Sequence, residues 1–161
     1  MMVYRRLTVG DAEALAAFYN SLSVASRRTF RPLGETTTVE ICQQIVHANK
    51  AEDKFDLIAL DGPTVVGWSF VWHLKGDEPT LGLAVADLYH GQGIGSALID
   101  AVLREAHHRG LPTVFLTVVQ DNEIARRLYE KRGFMRYGEF VGEDGLPYFR
   151  MRLVFDRGES Q

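Results

Sequence analysis

The stretch Y89-H-G-Q-G-I-G-S96 places three glycines at alternate positions immediately before an apolar-periodic run. Ile94, Ala97, Leu98, Ala101 and Val102 keep a 3.6-residue period, so a helix starts within the glycines. The run TLGLAV (80–85) upstream reads as a strand. Glycine inside a helix costs about 1 kcal/mol relative to alanine, so Gly91, Gly93 and Gly95 need a physical reason. Two readings stay open on the residues alone. A strand–glycine–helix junction presents unpaired backbone N–H groups at a positive dipole end, where phosphate oxygens bind, and a missing Cβ lets the anion approach. Alternatively, the chain needs only a turn with positive φ.

Two other phosphate loops fail. No lysine follows Gly95, as a nucleotide-hydrolase loop requires, and the spacing is G-x-G-x-G rather than the G-x-G-x-x-G of dinucleotide folds.

The rest of the chain supplies the frame. VYRRLTV (3–9) predicts a strand, and Thr8 with Asp11 predicts the start of a helix whose buried stripe is Leu15, Phe18, Tyr19 and Leu22. After a loop at 23–35, a second helix is predicted from Thr37, whose spacing to Glu40 fits a capping box. Its buried face is Ile41, Cys42, Ile45 and Val46. FDLIAL and VVGWSFVWHL flank an Asp61-Gly62-Pro63 turn and predict a hairpin. TVFLTVV (113–119) is unbroken and apolar, which predicts a strand buried on both faces. Residues 122–133 read as a helix closed by Gly133, and FMRYGEFV with PYFRMRLV as a last hairpin. The order β-α-α-β-β-β-α-β-α-β-β predicts an α/β (α+β) domain over 1–155, one mixed, mostly antiparallel sheet flanked by helices, with 156–161 a frayed tail.

Bulk properties narrow the function. A net charge of −3 argues against a nucleic-acid partner, and no run approaches the roughly 20 apolar residues of a membrane span. The N-terminus lacks the apolar core of a secretory signal, so the cytoplasm is the expected compartment. Cys42 is the single cysteine, which excludes an internal disulfide and leaves no thiolate metal site.

The segment V85-A-D-L-Y-H90-G91-Q92-G93-I94-G95-S96 resembles the acyl-CoA-binding motif of the GNAT N-acetyltransferase family, [QR]-x-x-G-x-[GA]. N122-E-I-A125-R-R-L128-Y129-E-K-R-G133-F134 is similar to the N-x-x-A-x-x-L-Y-x-x-x-G-F segment of that family, and the element order also agrees. The departure is His90, where the family usually has glutamine or arginine.

The resemblance implies a transfer of acetyl from acetyl-CoA, as cosubstrate, to an amine of a small molecule or peptide by direct attack in a ternary complex. It places the diphosphate on the loop from His90 and Gly91 through Gln92, Gly93, Ile94 and Gly95 to Ser96, with further cofactor contacts from Asn122 and from the main chain of Leu83 and Val85. Tyr129 maps onto the acid that protonates the departing thiolate; by spacing alone it packs beside Leu128. Relatives place a glutamate base at the start of the central strand; here Thr80 stands there, and Glu78 and His73 are the candidates. The acceptor wall falls on the early loop, where Arg27, Arg28 and Arg31 surround Phe30; these residues suit an anionic acceptor or simply form a solvated loop. Dimers are frequent in the family, so a homodimer is compatible with the sequence. A non-catalytic acyl-CoA-binding regulatory module is the alternative from a different class; it would keep the loop and could dispense with Tyr129.

Overall fold

A computed structural model describes residues 2–23, 26, 32–33, 36–48 and 53–155. The described strands form one mixed sheet of seven in the order β1-β2-β3-β4-β5-β7-β6. They are β1 Met2–Arg6, β2 Lys54–Asp61, β3 Thr64–Trp72, β4 Thr80–Val85, β5 Thr113–Val119, β6 Met135–Val141 and β7 Pro147–Val154. Four described α-helices flank it: α1 Ala12–Ser21, α2 Val39–Ala48, α3 Ile94–His108 and α4 Glu123–Glu130. All strand pairs are antiparallel except β4 with β5. Residues 156–161, expected to be frayed, lie outside the described residues.

Helices α1 and α2 cover one face of β2–β4. Leu15, Phe18, Tyr19 and Leu22 of the predicted stripe pack there with Cys42, Ile58 and Trp68. Asp56 is fully buried on this face and accepts from Trp68 Nε1 at 2.8 Å and Trp72 Nε1 at 3.1 Å, with Lys54 as its ionic partner. On the opposite face α3 lies across β2, β3 and β4, joining Leu98, Ile99 and Val102 to Val114, Leu116, Val118 and Met151. Gly67 of β3 makes this approach possible, because a Cβ there would sit 2.7 Å from Leu98 Cδ1.

Three local expectations need correction. The second helix is capped by Thr38, whose Oγ1 accepts from Ile41 N at 3.2 Å. Thr37 is instead buried, its N–H and C=O both held by the Asn20 amide at 2.9 and 3.0 Å. The first strand stops at Arg6, because Leu7 turns into the core and the Thr8 N–H bonds the Asp11 carboxylate at 2.7 Å. Most consequentially, β5 is buried along its whole length on one face but only at its end on the other. Val114, Leu116 and Val118 are buried; on the second face Thr113 and Phe115 are half-buried, Thr117 is exposed, and only Val119 is buried. The face of β5, β7 and β6 that continues the α1/α2 side contributes nothing to the core beneath those helices.

Candidate active site

Strands β4 and β5 touch at a single register pair, Thr80 with Phe115, secured by Phe115 N–H to Pro79 O at 2.8 Å. Beyond it they part. Main-chain groups alternate sides along a strand. Pro79 O points to β5 and Ala86 N–H points to β3, where it bonds Val66 O at 2.8 Å. Leu81, Leu83 and Val85 therefore present their main-chain groups to the gap.

A cavity of about 470 Å³ occupies this gap. Its wall includes Leu83, Val85 and Val118, which belong to the α3 side, together with Ala84 and Thr117 from the other face. The opening thus passes through the sheet rather than into one side of it.

The glycine loop closes one end. Gly91 and Gly93 have φ of 77° and 82°, left-handed values that favour glycine, and Gly93 is the N-cap of α3. Gly95 has no positive φ; it sits in the first helical turn, where a Cβ would lie 3.7 Å from Val85 Cγ2 and 3.9 Å from Leu128 Cδ2. The two readings of the loop therefore divide among its residues: the turn requires Gly91 and Gly93, whereas Gly95 leaves cavity space empty. The first helical bond runs from Ala97 N–H to Gly93 O at 3.0 Å, and the N–H groups of Gln92 to Ser96 meet no acceptor among the described residues. That row of donors fits the phosphate oxygens of a CoA diphosphate.

Around this row the sequence-selected residues are distributed unevenly. Leu83, Val85, His90, Gly91, Gly93, Ile94, Gly95, Ser96, Asn122 and Tyr129 all line the cavity. Gln92 is exposed, its side chain turned back towards Leu88 O at 3.5 Å. His90 donates from Nε2 to the Val85 carbonyl at 2.8 Å, so the unusual residue ties the loop to the end of β4. Asn122 caps α4, its Oδ1 accepting from Ala125 N–H at 3.3 Å, which leaves the amide N–H₂ for another partner.

Tyr129 ends α4 against Phe134, 5.8 Å between ring centroids, and is 7% exposed. Burial pushes its phenol up to about 12, so it keeps its proton throughout the neutral range. Its hydroxyl has no hydrogen-bond partner among the described residues.

Glu78 and His73 are not brought to this cavity. Both are exposed on the turn before β4, where the Glu78 carbonyl accepts from Thr80 Oγ1 at 2.8 Å. Arg27, Arg28, Phe30 and Arg31 lie outside the described residues. No group of metal-ligating side chains occurs among the described residues, and no described helix is long and apolar enough to cross a membrane.

Sequence reasoning missed Ala84, Tyr89, Thr117, Val118, Ile124, Ala125 and Leu128 as lining residues. Ala125, Leu128 and Tyr129 follow Asn122 at helical spacing, so one stripe could have revealed them. Tyr89 had no such signal: its hydroxyl donates to Asp61 in the distant β2–β3 turn at 2.6 Å.

Comparison with known proteins agrees with this geometry. Residues 15–134 match the Acetyltransferase (GNAT) family. The chain is 36% identical over 103 residues to a mycothiol acetyltransferase of Paenarthrobacter aurescens, covering 57% of this chain and 32% of that protein. It is 41% identical over 59 residues to a ribosomal protein bS18-alanine N-acetyltransferase of Haemophilus ducreyi, covering 36% of this chain and 41% of the relative. The match thus spans less than half the length of either. Among solved structures, a GNAT-family acetyltransferase from Streptococcus pneumoniae superposes with a TM-score of 0.82 at 22% identity, covering 97% of this chain and all of the other. The protein yncA of Salmonella typhimurium, solved with its cofactor acetyl-CoA, gives 0.80 at 19% identity, with 100% and 98% coverage.

Proposed function

This chain belongs to the GNAT acetyltransferase family, and we propose that it transfers acetyl from acetyl-CoA to an amine by direct attack in a ternary complex. The observation that carries the reading is the cavity between parted strands, with free N–H donors at one end and a buried, protonated phenol in its wall.

Acetyl-CoA supplies the activated acyl thioester. The N–H groups of Gln92 to Ser96, with the dipole of the fifteen-residue helix α3 behind them, hold the diphosphate. Main-chain groups of Leu83 and Val85 run along the gap and align the pantetheine arm. The N–H of Val85, turned to the gap by the β4 register, is placed to face the thioester oxygen. A donor placed where negative charge develops contributes about 3 kcal/mol to lowering a barrier.

Tyr129 donates its proton to the departing sulfur. A free thiol has a pKa near 8.5, well below the Tyr129 phenol. The burial that raises Tyr129 also raises a thiolate formed beside it, which narrows the difference.

The described lining contains no carboxylate. A lysine-like amine near pKa 10.4 would need about 4–5 kcal/mol to lose its proton at pH 7, against about 1–1.5 kcal/mol for an α-amino group near 8. The site therefore suits an acceptor that is already partly neutral and needs no base in the cavity wall. Similar proteins are named for mycothiol, a ribosomal-protein alanine and spermidine, which supports an amine acceptor, small or protein-borne.

The test is release of free CoA from acetyl-CoA across a panel of amino acids, polyamines and peptide N-termini, with Tyr129→Phe as control. Amine-dependent release that collapses in the variant while acetyl-CoA binding persists supports the reading. Binding without release to any amine would mark a regulatory acyl-CoA module instead.

A further inference from the structure

We propose that the sheet face beside the cavity, which α1 and α2 leave uncovered, reads an anionic group on the amine acceptor, a carboxylate or phosphate held by Arg150 and Arg152. This rests on the acetyl-transfer reading above and names the substrate class of that same site.

Register puts the two arginines beside the opening. Arg150 pairs across the strands with Thr117, and Arg152 with Phe115, the residue at which β4 and β5 last touch. Directly opposed residues have Cβ atoms about 5 Å apart. Thr117 itself lines the cavity and is exposed on the face that α1 and α2 leave uncovered. Arg150 therefore stands at the mouth through which an amine would reach the gap from the side opposite the glycine loop.

Both guanidinium groups are pre-positioned. Arg150 Cζ lies 4.2 Å from the Phe140 ring centroid, and Phe140 is stacked on Tyr148 at 5.0 Å. Tyr148 is anchored by its hydroxyl to Asp144 Oδ2 at 2.5 Å. Arg152 Cζ lies 4.9 Å from the Tyr137 ring, which meets Phe115 edge-on at 6.1 Å. Stacking occupies the flat face of a guanidinium and leaves its N–H edges free.

Those edges have no counter-ion among the described residues. Arg5, Arg109, Arg127 and Arg132 each pair with a carboxylate, whereas neither Arg150 nor Arg152 bonds an acid or a carbonyl among the described residues. In a chain of net charge −3, two ring-stacked forks without an acid partner among the described residues, beside a cavity mouth, form a local positive site. Bidentate pairing of arginine with carboxylate or phosphate is the complementary chemistry.

The experiment compares matched amines with and without the anion: glycine against glycinamide, phosphoethanolamine against ethanolamine, and an N-terminally free peptide with an early aspartate against its asparagine analogue. The readout is the ratio of kcat/KM for the anionic over the neutral member, in wild type, Arg150→Gln, Arg152→Gln and Arg150→Lys. Taking the ratio of wild type to variant cancels intrinsic differences in amine reactivity. The expected result is a fall of about ten- to hundredfold in that ratio for Arg150→Gln, partial recovery in Arg150→Lys, and an unchanged KM for acetyl-CoA. The pair that shows the fall identifies the source of the anion: amino acid, phosphorylated amine or peptide.

A ratio that stays at the wild-type value in both glutamine variants overturns the proposal and leaves acetyl transfer standing. Wild-type protein that binds acetyl-CoA but acetylates no amine, or that fails to bind it at all, overturns both. An acetyl-CoA thermal shift equal to that of wild type confirms that each variant is folded.

Discussion

Replacing Gly95 with alanine separates the folding role of the glycine loop from its ligand role, because the two effects have opposite signs. Gly95 lies in the first turn of α3 without a positive φ, and its added Cβ would make ordinary contacts of 3.7 Å to Val85 and 3.9 Å to Leu128 and Leu83. Nothing clashes. Restricting the unfolded chain at a compatible site stabilises by about 0.4–1 kcal/mol. On a domain of this size that is a rise in Tm of about 1–4 °C. The same methyl projects among three side chains that line the cavity, beside the backbone N–H that Gly95 offers to the ligand. Losing one hydrogen bond to a charged phosphate oxygen costs about 1.5–3 kcal/mol, or about ten- to hundredfold in affinity. Thermal melts of the free protein and calorimetry with CoA and acetyl-CoA measure the two effects separately. Gly93→Ala is the contrast: its φ of 82° makes the change destabilising, by about 1–2 kcal/mol. A Gly95→Ala protein that melts lower than wild type, or that binds CoA as tightly, refutes the division of roles.

Burial holds the Tyr129 proton up to about pH 12, so kcat should show no alkaline loss from this group between about pH 8 and 10, while Tyr129→Phe lowers kcat by about 10²–10⁴ without weakening CoA binding. A steady-state pH profile of both proteins checks this; a wild-type decline within that window would assign the proton elsewhere. Asn122→Ala removes the cap of α4 and should lower stability by about 1 kcal/mol in urea unfolding, even with no ligand present. The Arg5 guanidinium, with Thr8, holds the Asp11 carboxyl down at about 2. Its folded value lies below the unfolded one, so its stabilisation is present above about pH 4 and is lost as pH falls towards 2. With Arg5 partly in solvent the effect is discounted to about 1–2 kcal/mol, and Asp11→Asn should remove that much at pH 6 and little at pH 2.

Much of this molecule is written in local pattern. Apolar runs bounded by turn residues placed β2 to β7, and the 3.6 period placed the four described helices, because each element must bury apolar side chains and its sequence is patterned accordingly. The glycine loop and the N122…Y129 segment were legible for the same reason: both are contiguous pieces whose chemistry depends on near neighbours. Even the errors were local. Thr38 replaced Thr37 as the cap because Asn20, seventeen residues upstream, claims the backbone of Thr37.

What the sequence could not record is the relation between strands that meet only in space. An apolar run such as TVFLTVV states that β5 is buried, but not that β4 leaves it after one pair, nor that α1 and α2 stop short of its second face. The gap exists because β4 hydrogen-bonds fully to β3 while β5 takes β7 as its partner. Residues as distant as Leu83, Thr117 and Tyr129 share a cavity for that reason alone. The sequence by itself determined the elements and the residues able to bind phosphate and hold a proton. Only the tertiary structure decided where two neighbouring strands leave their hydrogen bonds unmade, since an unmade bond belongs to a pair of strands and to neither one's pattern.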